Sequence, residues 1–145
     1  MEPSRLSRRT AASRGFTLIE LIAAMLITAI LTMIALPAYS SYLARSKLRA
    51  AQNDLIALSL NLENYYQQQL TYPAATAGTA QTQTTLPGWA PSQGANFSFQ
   101  IQAASASTYS LKATGTGNGV SGYAITLDSG NTRQLTNPSG AVSSW

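Results

Sequence analysis

Few side chains in this chain of 145 residues could perform chemistry. The sequence contains no Cys and no His, which excludes disulfides, thiolate nucleophiles and zinc sites built from these residues. After residue 37 the acids are Asp54, Glu63 and Asp128, and they are widely separated. Catalysis and Ca²⁺ binding both require several such groups to converge. We therefore predict no catalytic, metal-binding or cofactor-binding residues, and we expect a protein that is not an enzyme.

Two short motifs carry little weight. The stretch GNGVSG at residues 117–122 fits G-x-G-x-x-G, but phosphate-binding loops of that pattern lie between a strand and a helix. Here the pattern of a strand follows, so we expect a flexible loop between strands. Asn96 begins a glycosylation sequon, and such short sequons often arise by chance.

The net charge of +4 is concentrated in the first residues. Four arginines against Glu2 give residues 1–15 a charge of +3, which leaves +1 for residues 16–145. Lys112 and Arg133, with Tyr109 or Tyr123, could contact nucleic acid, but two cations neutralise little phosphate. Nucleic acid is therefore only a weakly supported partner.

An apolar run follows this basic segment directly, from Phe16 to Leu36. As a helix its 21 residues reach about 32 Å, which matches a hydrocarbon core of about 30 Å. The run is too long for the apolar part of an ordinary secretory signal. Arginines before the span and neutral residues just after it predict a cytoplasmic N-terminus and an exported remainder.

Glu20 is the one acid inside this run. An acid at the centre of a spanning helix costs about 2.5–3.5 kcal/mol, and less near the end, where Glu20 lies. Two interpretations stay open on this basis. Glu20 is either a tolerated interfacial carboxylate or a functional acid that awaits a positive partner in a medium of low dielectric constant.

The sequence around this acid, RGFTLIEL at residues 14–21, resembles the class III signal of the type IV pilin superfamily, which comprises type IV pilins and type II secretion pseudopilins. The resemblance implies that a prepilin peptidase cuts between Gly15 and Phe16 and methylates the new amine of Phe16. It also implies that Glu20 supports subunit recruitment and pairs with the N-terminal amine of a neighbouring subunit. Pro37 falls where pilins carry a helix-kinking proline.

The pattern after Pro37 predicts that the helix bends and continues rather than stops. Apolar residues step by three and four along one face to about Gln69: Leu48, Ala51, Leu55, Leu58, Leu62 and Tyr65. This stripe needs a partner to pack against. The tyrosines of this region, Tyr39, Tyr42, Tyr65, Tyr66 and Tyr72, are interpreted as packing groups.

The second half predicts a small antiparallel sheet. Residues 71–95 are rich in Ala, Thr, Gln, Gly and Pro and are interpreted as a long surface connection with a short turn near residues 86–89. Apolar and polar residues then alternate over 97–102, 109–114 and 123–128, and a tight turn at 129–131 leads to a fourth strand around 132–136. The tail is interpreted as a loop, with Trp145 closing an edge of the sheet.

The prediction is thus an α+β protein with the type IV pilin fold, in which a helical spine over about residues 16–69 packs on a sheet of about four strands within 96–136. We expect three segments: residues 1–15 form a leader that is removed, residues 16–37 form a transmembrane or filament-core half-helix, and residues 38–145 form an exported domain.

The second half resembles the small, PilE-type minor pilins in its YSLKATG strand, its GYAITLDSGNTR hairpin and its terminal Trp. Such proteins usually carry a Cys pair, which is absent here. The resemblance implies a subunit that joins or initiates a type IV pilus in motility, adhesion or DNA uptake. Its partners would be other pilins, the prepilin peptidase and the assembly machinery. It would reside in the bacterial inner membrane before assembly and in the periplasm and extracellular pilus afterwards. A type II secretion pseudopilin and a filament-borne DNA-binding or surface-binding pilin are the alternatives.

Overall fold

The computed structural model describes residues 15–145, so the prediction for residues 1–14 of the leader lies outside the described residues. The described chain divides into two units, one ending at Pro37 and the other comprising Ala38–Trp145. Helix α1 is assigned from Leu18 to Gln69, which agrees with the predicted helix to within two residues at its start. At its end Leu70 adopts a left-handed conformation with φ 56°, and its N–H donates to the carbonyl of Tyr66. A residue in the left-handed conformation is a common way for a helix to end.

In the second unit, five antiparallel strands form one sheet in the order in which they occur along the chain. They are β1 (Phe97–Ala104), β2 (Tyr109–Gly115), β3 (Ala124–Asp128), β4 (Arg133–Thr136) and β5 (Val142–Ser143). The four predicted strands are confirmed. The tail contains β5 in addition to the loop expected there.

Strand register places the apolar residues of every central strand on one face. One row across the sheet pairs Phe99 with Ala113, Ala113 with Ile125, and Ile125 with Leu135. Because side chains alternate along a strand, the polar residues between them lie on the other face. The apolar face and the helix stripe share one buried cluster, which includes Leu48, Ala51, Leu55, Leu58 and Leu62. The predicted packing of stripe on sheet is therefore correct.

The connection between α1 and β1 differs from its prediction. Residues 79–85 form a short helix, α2 (Thr79–Thr85), and the connection buries Thr76, Thr82, Leu86 and Trp89. The ring of Trp89 packs edge-on against Phe99, with centroids 5.4 Å apart. The connection therefore contributes to the core. Alternation failed to predict this because two of the buried residues are threonines and α2 has no apolar stripe.

Threonine hydroxyls of this connection occupy the outer edge of β1. The hydroxyls of Thr79 and Thr76 accept hydrogen bonds from the backbone N–H groups of Phe99 and Ile101, each at 2.9 Å. The hydroxyl of Thr82 donates to the carbonyl of Phe99 at 3.2 Å. The backbone N–H of Thr76 completes the set by donating to the carbonyl of Ile101. Side chains thus supply to β1 the hydrogen bonds that a further strand would make.

Asp54 ties the same connection to α1. This buried carboxylate accepts hydrogen bonds from the backbone N–H groups of Ser92 at 3.0 Å and Gln93 at 2.9 Å, and from the Ser92 hydroxyl at 3.1 and 3.2 Å. The indole N–H of Trp89 donates to the Asp54 carbonyl at 3.1 Å. A buried charge without a cationic partner is tolerated only when hydrogen bonds satisfy it in this way.

The glycine-rich loop at 117–122 is a loop, as predicted, but it is packed. Val120 is fully buried, and a Cβ on Gly115 would collide with the Val120 carbonyl. The side-chain ammonium of Lys47 donates to the Asn118 carbonyl at 3.0 Å and so links the loop to α1. At the other edge of the sheet the Trp145 indole N–H donates to the Gln134 carbonyl at 3.0 Å, and the Arg133 guanidinium lies over the Trp145 ring. Trp145 therefore covers the sheet edge, as predicted.

Replacing Asp54 should destabilise the second unit more than any exposed polar substitution on α1. Asp54→Ala leaves two backbone N–H donors without acceptors, and we expect a loss of about 2–4 kcal/mol in the free energy of unfolding. Thermal unfolding of the detergent-solubilised chain, followed by near-ultraviolet circular dichroism of Trp89, measures this loss. Asn53→Ala changes the exposed neighbouring residue and should cost less than about 0.5 kcal/mol. Equal losses in the two variants would contradict the assigned role.

Candidate functional site

Glu20 and Thr17 form a capping box at the start of α1. One carboxylate oxygen of Glu20, Oε2, accepts hydrogen bonds from the backbone N–H of Thr17 at 2.9 Å and from its hydroxyl at 2.8 Å. The Thr17 hydroxyl in turn lies 3.3 Å from the backbone N–H of Glu20. This reciprocal pattern satisfies donors that the first helical turn leaves unpaired. Sequence reasoning missed the box, although Thr-x-x-Glu directly before an apolar helix is its signature.

The box engages only one of the two carboxylate oxygens. Among the described residues, Oε1 of Glu20 accepts no hydrogen bond. Gly15, Phe16, Thr17 and Glu20 line a surface recess of about 470 Å³. Phe16 is 83% exposed, and a Cβ on Gly15 would meet nothing within 4 Å. The bond predicted to be cut, between Gly15 and Phe16, and the acid Glu20 therefore lie at the same surface recess.

The rest of this unit presents apolar side chains outward. Most of the large hydrophobic residues between Leu18 and Leu36 are more than half exposed, and α1 contains a segment long and apolar enough to cross a membrane. Its polar side chains Thr28 and Thr32 donate to carbonyls one turn earlier, both at 2.7 Å. These bonds satisfy the hydroxyls without water. Pro37 lies within α1, which excludes the interpretation of Pro37 as a helix terminator.

The structure does not bring the acids of the second unit together. Asp54 is bound by the connection, as described above. Glu63 accepts from the Tyr72 hydroxyl at 3.0 and 3.1 Å. Asp128 accepts from the backbone N–H of Thr132 at 2.8 Å in the turn before β4. In residues 15–145 there is no group of three or more potential metal-ligating His, Cys, Asp or Glu side chains.

The pKa values in this unit follow from the same contacts. The backbone hydrogen bond from Thr132 lowers the pKa of Asp128. Loss of water contact, followed by the hydrogen bond to Glu63, raises the pKa of Tyr72. Burial and the nearby Glu63 carboxylate also raise the pKa of Tyr109. The contacts that cause these shifts belong to a turn and to an aromatic cluster, in which Tyr72 stacks on Tyr66 and meets Tyr109 edge-on.

Two of the tyrosines interpreted as packing groups are in fact exposed. Tyr39 and Tyr42 have exposed fractions of 62% and 65%. Tyr109, considered above as a contact for nucleic acid, is instead buried and thus inaccessible to such a ligand. Tyr65, Tyr66 and Tyr72 are half-buried, in agreement with a packing role.

The outer face of the sheet carries one polar row across four strands. Strand register places Gln100 opposite Lys112, Lys112 opposite Thr126, and Thr126 opposite Gln134. We call these four residues the outer row. Arg133 falls in the row of Leu127, on the other face, so the two cations of the sheet do not form one patch.

Comparisons with known proteins agree with this architecture. Residues 37–128 match the family model described as type IV minor pilin ComP, DNA uptake sequence receptor, and residues 10–36 match the prokaryotic N-terminal methylation motif. The fimbrial protein EcpC of Eikenella corrodens is 36% identical over 117 residues, which cover 79% of this chain and 72% of EcpC. The type IV major pilin protein PilA of Myxococcus xanthus (strain DK1622) is 32% identical over 100 residues, which cover 69% of this chain and 42% of PilA.

These matches show that the chain belongs to the type IV pilin superfamily and, within it, to the minor pilin family that the ComP model describes. The long N-terminal helix with a small antiparallel sheet is the pilin fold. Membership implies a structural subunit that assembles with other pilins into pili. The methylation motif and the apolar helix fit the membrane anchor of a pilin.

Proposed function

We propose that this minor pilin takes part in DNA uptake as a DNA-contacting subunit of a type IV pilus. The observation that carries the proposal is the match of residues 37–128 to the family model whose description includes a DNA uptake sequence receptor. That match covers the strands β1–β3 and the helix that packs on them. We propose no enzymatic activity, since the role requires only binding and assembly.

The outer row is the surface that we assign to DNA. Lys112 can contact a phosphate, while the amide groups of Gln100 and Gln134 are of the kind that pair with base edges. The row is half-exposed or exposed on every strand. One cation gives a weak, salt-sensitive contact, so strong binding would require many subunits along a filament.

We propose that the subunit is cleaved and methylated before it enters the pilus. A prepilin peptidase removes residues 1–15 on the cytoplasmic face of the inner membrane and methylates the amine of Phe16. Residues 16–37 hold the subunit in the membrane with residues 38–145 exported, until the assembly machinery moves the apolar half-helix into the filament core. Pro37 is proposed to allow the helix to bend there.

Glu20 is proposed to serve two purposes with its two oxygens. Oε2 caps its own helix through Thr17, while Oε1 stays available for the N-terminal amine of a neighbouring subunit. In a medium of low dielectric constant such a pair fixes register, since an unpaired charge there is costly.

The proposed cleavage and methylation determine the N-terminus and the mass expected of the mature protein. Intact-mass and N-terminal peptide spectrometry of the membrane fraction should show a chain that begins at N-methylated Phe16. Gly15→Leu should block cleavage, because a bulky residue replaces an unhindered glycine, and should leave the leader attached. A mature chain that begins at Met1 or Ser40 would refute the assignment.

Substitutions at the capping box separate charge from capping. Glu20→Gln keeps a side chain that can complete the box but removes the charge, and we expect incorporation into filaments to fall at least about tenfold with membrane insertion intact. Thr17→Ala keeps the charge, costs about 1 kcal/mol of helix capping and should assemble nearly normally. Immunoblots of sheared pili and membranes measure both quantities. If assembly were lost in Thr17→Ala and kept in Glu20→Gln, Glu20 would be a cap alone.

The DNA proposal is tested by salt-dependent binding and by uptake. Lys112→Gln in the solubilised full chain should weaken duplex binding evenly across sequences and reduce the slope of log K against log salt by about 1. Lys47→Gln removes the same charge from a side chain engaged with Asn118, and it should change neither quantity. Deletion of the gene should abolish DNA uptake while pili remain. Absence of salt-sensitive binding, together with normal uptake in the deletion strain, would rule out this function.

A further inference from the structure

One face of α1 just beyond the apolar run is exposed and carries two tyrosines and two arginines. Tyr39, Tyr42, Arg45, Ser46 and Arg49 follow a helical spacing of three and four residues, and all are exposed. We call these five residues the tyrosine–arginine stripe. At about 100° per residue, the stripe lies opposite the buried leucines Leu48, Leu55 and Leu62, so the second unit's own core does not cover it.

The two arginines of the stripe have no acidic partner. In residues 15–145 no carboxylate forms an ion pair with Arg45 or Arg49, and the nearest acid along the chain, Asp54, is buried and bound to Ser92 and Gln93. Tyr42, Arg45, Ser46 and Arg49 line a shallow recess of about 260 Å³. This recess presents guanidinium and hydroxyl donors together, which suits a phosphate group.

Lys47 lies in the same segment but outside the stripe. Its ammonium donates to the Asn118 carbonyl at 3.0 Å, so it is committed to holding the loop at 117–122. The segment therefore provides a matched comparison. Arg45 and Arg49 have no acidic partner in residues 15–145, whereas the neighbouring Lys47 is hydrogen-bonded to Asn118.

We propose that the tyrosine–arginine stripe binds the anionic phospholipid headgroups of the membrane that holds the apolar run. The inference rests on the proposed membrane anchoring, and it adds a headgroup-binding surface that belongs to the exported part of the chain. Tyr39 and Tyr42 follow Pro37 by two and five residues. Tyrosines at such positions form the aromatic belts found at membrane interfaces.

Helix geometry brings the arginines within reach of the same layer. Arg45 lies eight residues after Pro37, or about 12 Å along a helix, and helical side chains tilt toward the N-terminus, which here is the membrane side. Long arginine side chains can therefore reach back to phosphate groups while their stems cover apolar surface. Arg49 lies one turn further out, where screening by salt makes its attraction to the headgroups weaker than that of Arg45.

Lipid is favoured over DNA as the ligand of the tyrosine–arginine stripe because the stripe follows the apolar run on the same helix. The stripe begins three residues after Leu36, where the apolar run ends, and its tyrosines suit the interface between hydrocarbon and water. A polyanion such as DNA would have to compete there with the anionic membrane surface itself.

The test uses the full chain in vesicles, and each labelled variant carries one fluorophore. Because the chain has no Cys, Asn53→Cys places one fluorophore on the exposed side of α1, one turn beyond Arg49, and Ala106→Cys places one in the β1–β2 turn as the distant reference. Quenching by nitroxide-labelled headgroups is compared between phosphatidylcholine vesicles and vesicles with about 30% phosphatidylglycerol. Resistance to carbonate extraction reports membrane insertion separately, so that failure of anchoring is distinguished from failure of the stripe.

We expect anionic lipid to increase quenching at position 53 but not at position 106, and salt to reverse the increase. Arg45→Gln with Arg49→Gln should remove at least about half of that increase without changing insertion. Lys47→Gln with Arg133→Gln removes the same total charge and should retain it. Quenching independent of lipid charge, or equal losses in the two double variants, would overturn the proposal. If the variant that carries both Arg45→Gln and Arg49→Gln showed unchanged quenching but a lower affinity for DNA, the proposal would be overturned in favour of DNA.

Discussion

The second unit depends on the burial of one leucine stripe. Leu48, Leu55, Leu58 and Leu62 of α1 lie in the same buried cluster as the inner face of the sheet. Each fully buried leucine contributes roughly 1.5–3 kcal/mol relative to an exposed one. Because the chain has no Cys, no disulfide can supplement this burial. The stripe therefore determines where the strands, the connection and the loop at 117–122 can pack.

Polar contacts between segments add to the packing of the leucine stripe. The Asp54 carboxylate, the Trp89 indole and the Lys47 ammonium each bind backbone atoms of a different segment from their own. These bonds fasten the irregular segments to α1, in addition to the packing of Trp89 and Val120 in the core. Because the chain has no Cys, these hydrogen bonds do the work of fastening that a disulfide could otherwise do.

Periodicity made much of the fold predictable. A step of three and four predicted α1, alternation predicted three strands, and the tight turn at 129–131 predicted a fourth. The boundaries of all four strands lie within about two residues of the observed ones. Helix α2 was not predicted, because its buried residue is a threonine and its other residues are polar or small. The two residues of β5 are too few for any period to be detected. Asp54 was missed as a contact because a polar residue beside an apolar stripe does not reveal its partner 38 residues away.

The candidate site was predictable only where local sequence defines it. The motif formed by Gly15, Phe16 and Glu20 is visible in the sequence, and its role in processing and assembly stays a prediction. The Thr17–Glu20 box is equally visible but was overlooked. The exposure of Tyr39 and Tyr42 was not predictable, because an aromatic residue on a helix near an apolar run usually packs. What decided their exposure is the direction of the leucine stripe, which turns the opposite face of α1 away from the sheet.

The threonine hydroxyls on the outer edge of β1 bear on how subunits can associate. An open strand edge invites pairing with the sheet of another molecule, which leads to aggregation. Thr76, Thr79 and Thr82 occupy the β1 edge, and β5 at the other edge is only two residues long. Crowded copies of this protein therefore lack a template for joining sheet to sheet. The surface through which this subunit assembles with other pilins must therefore lie away from the strand edges.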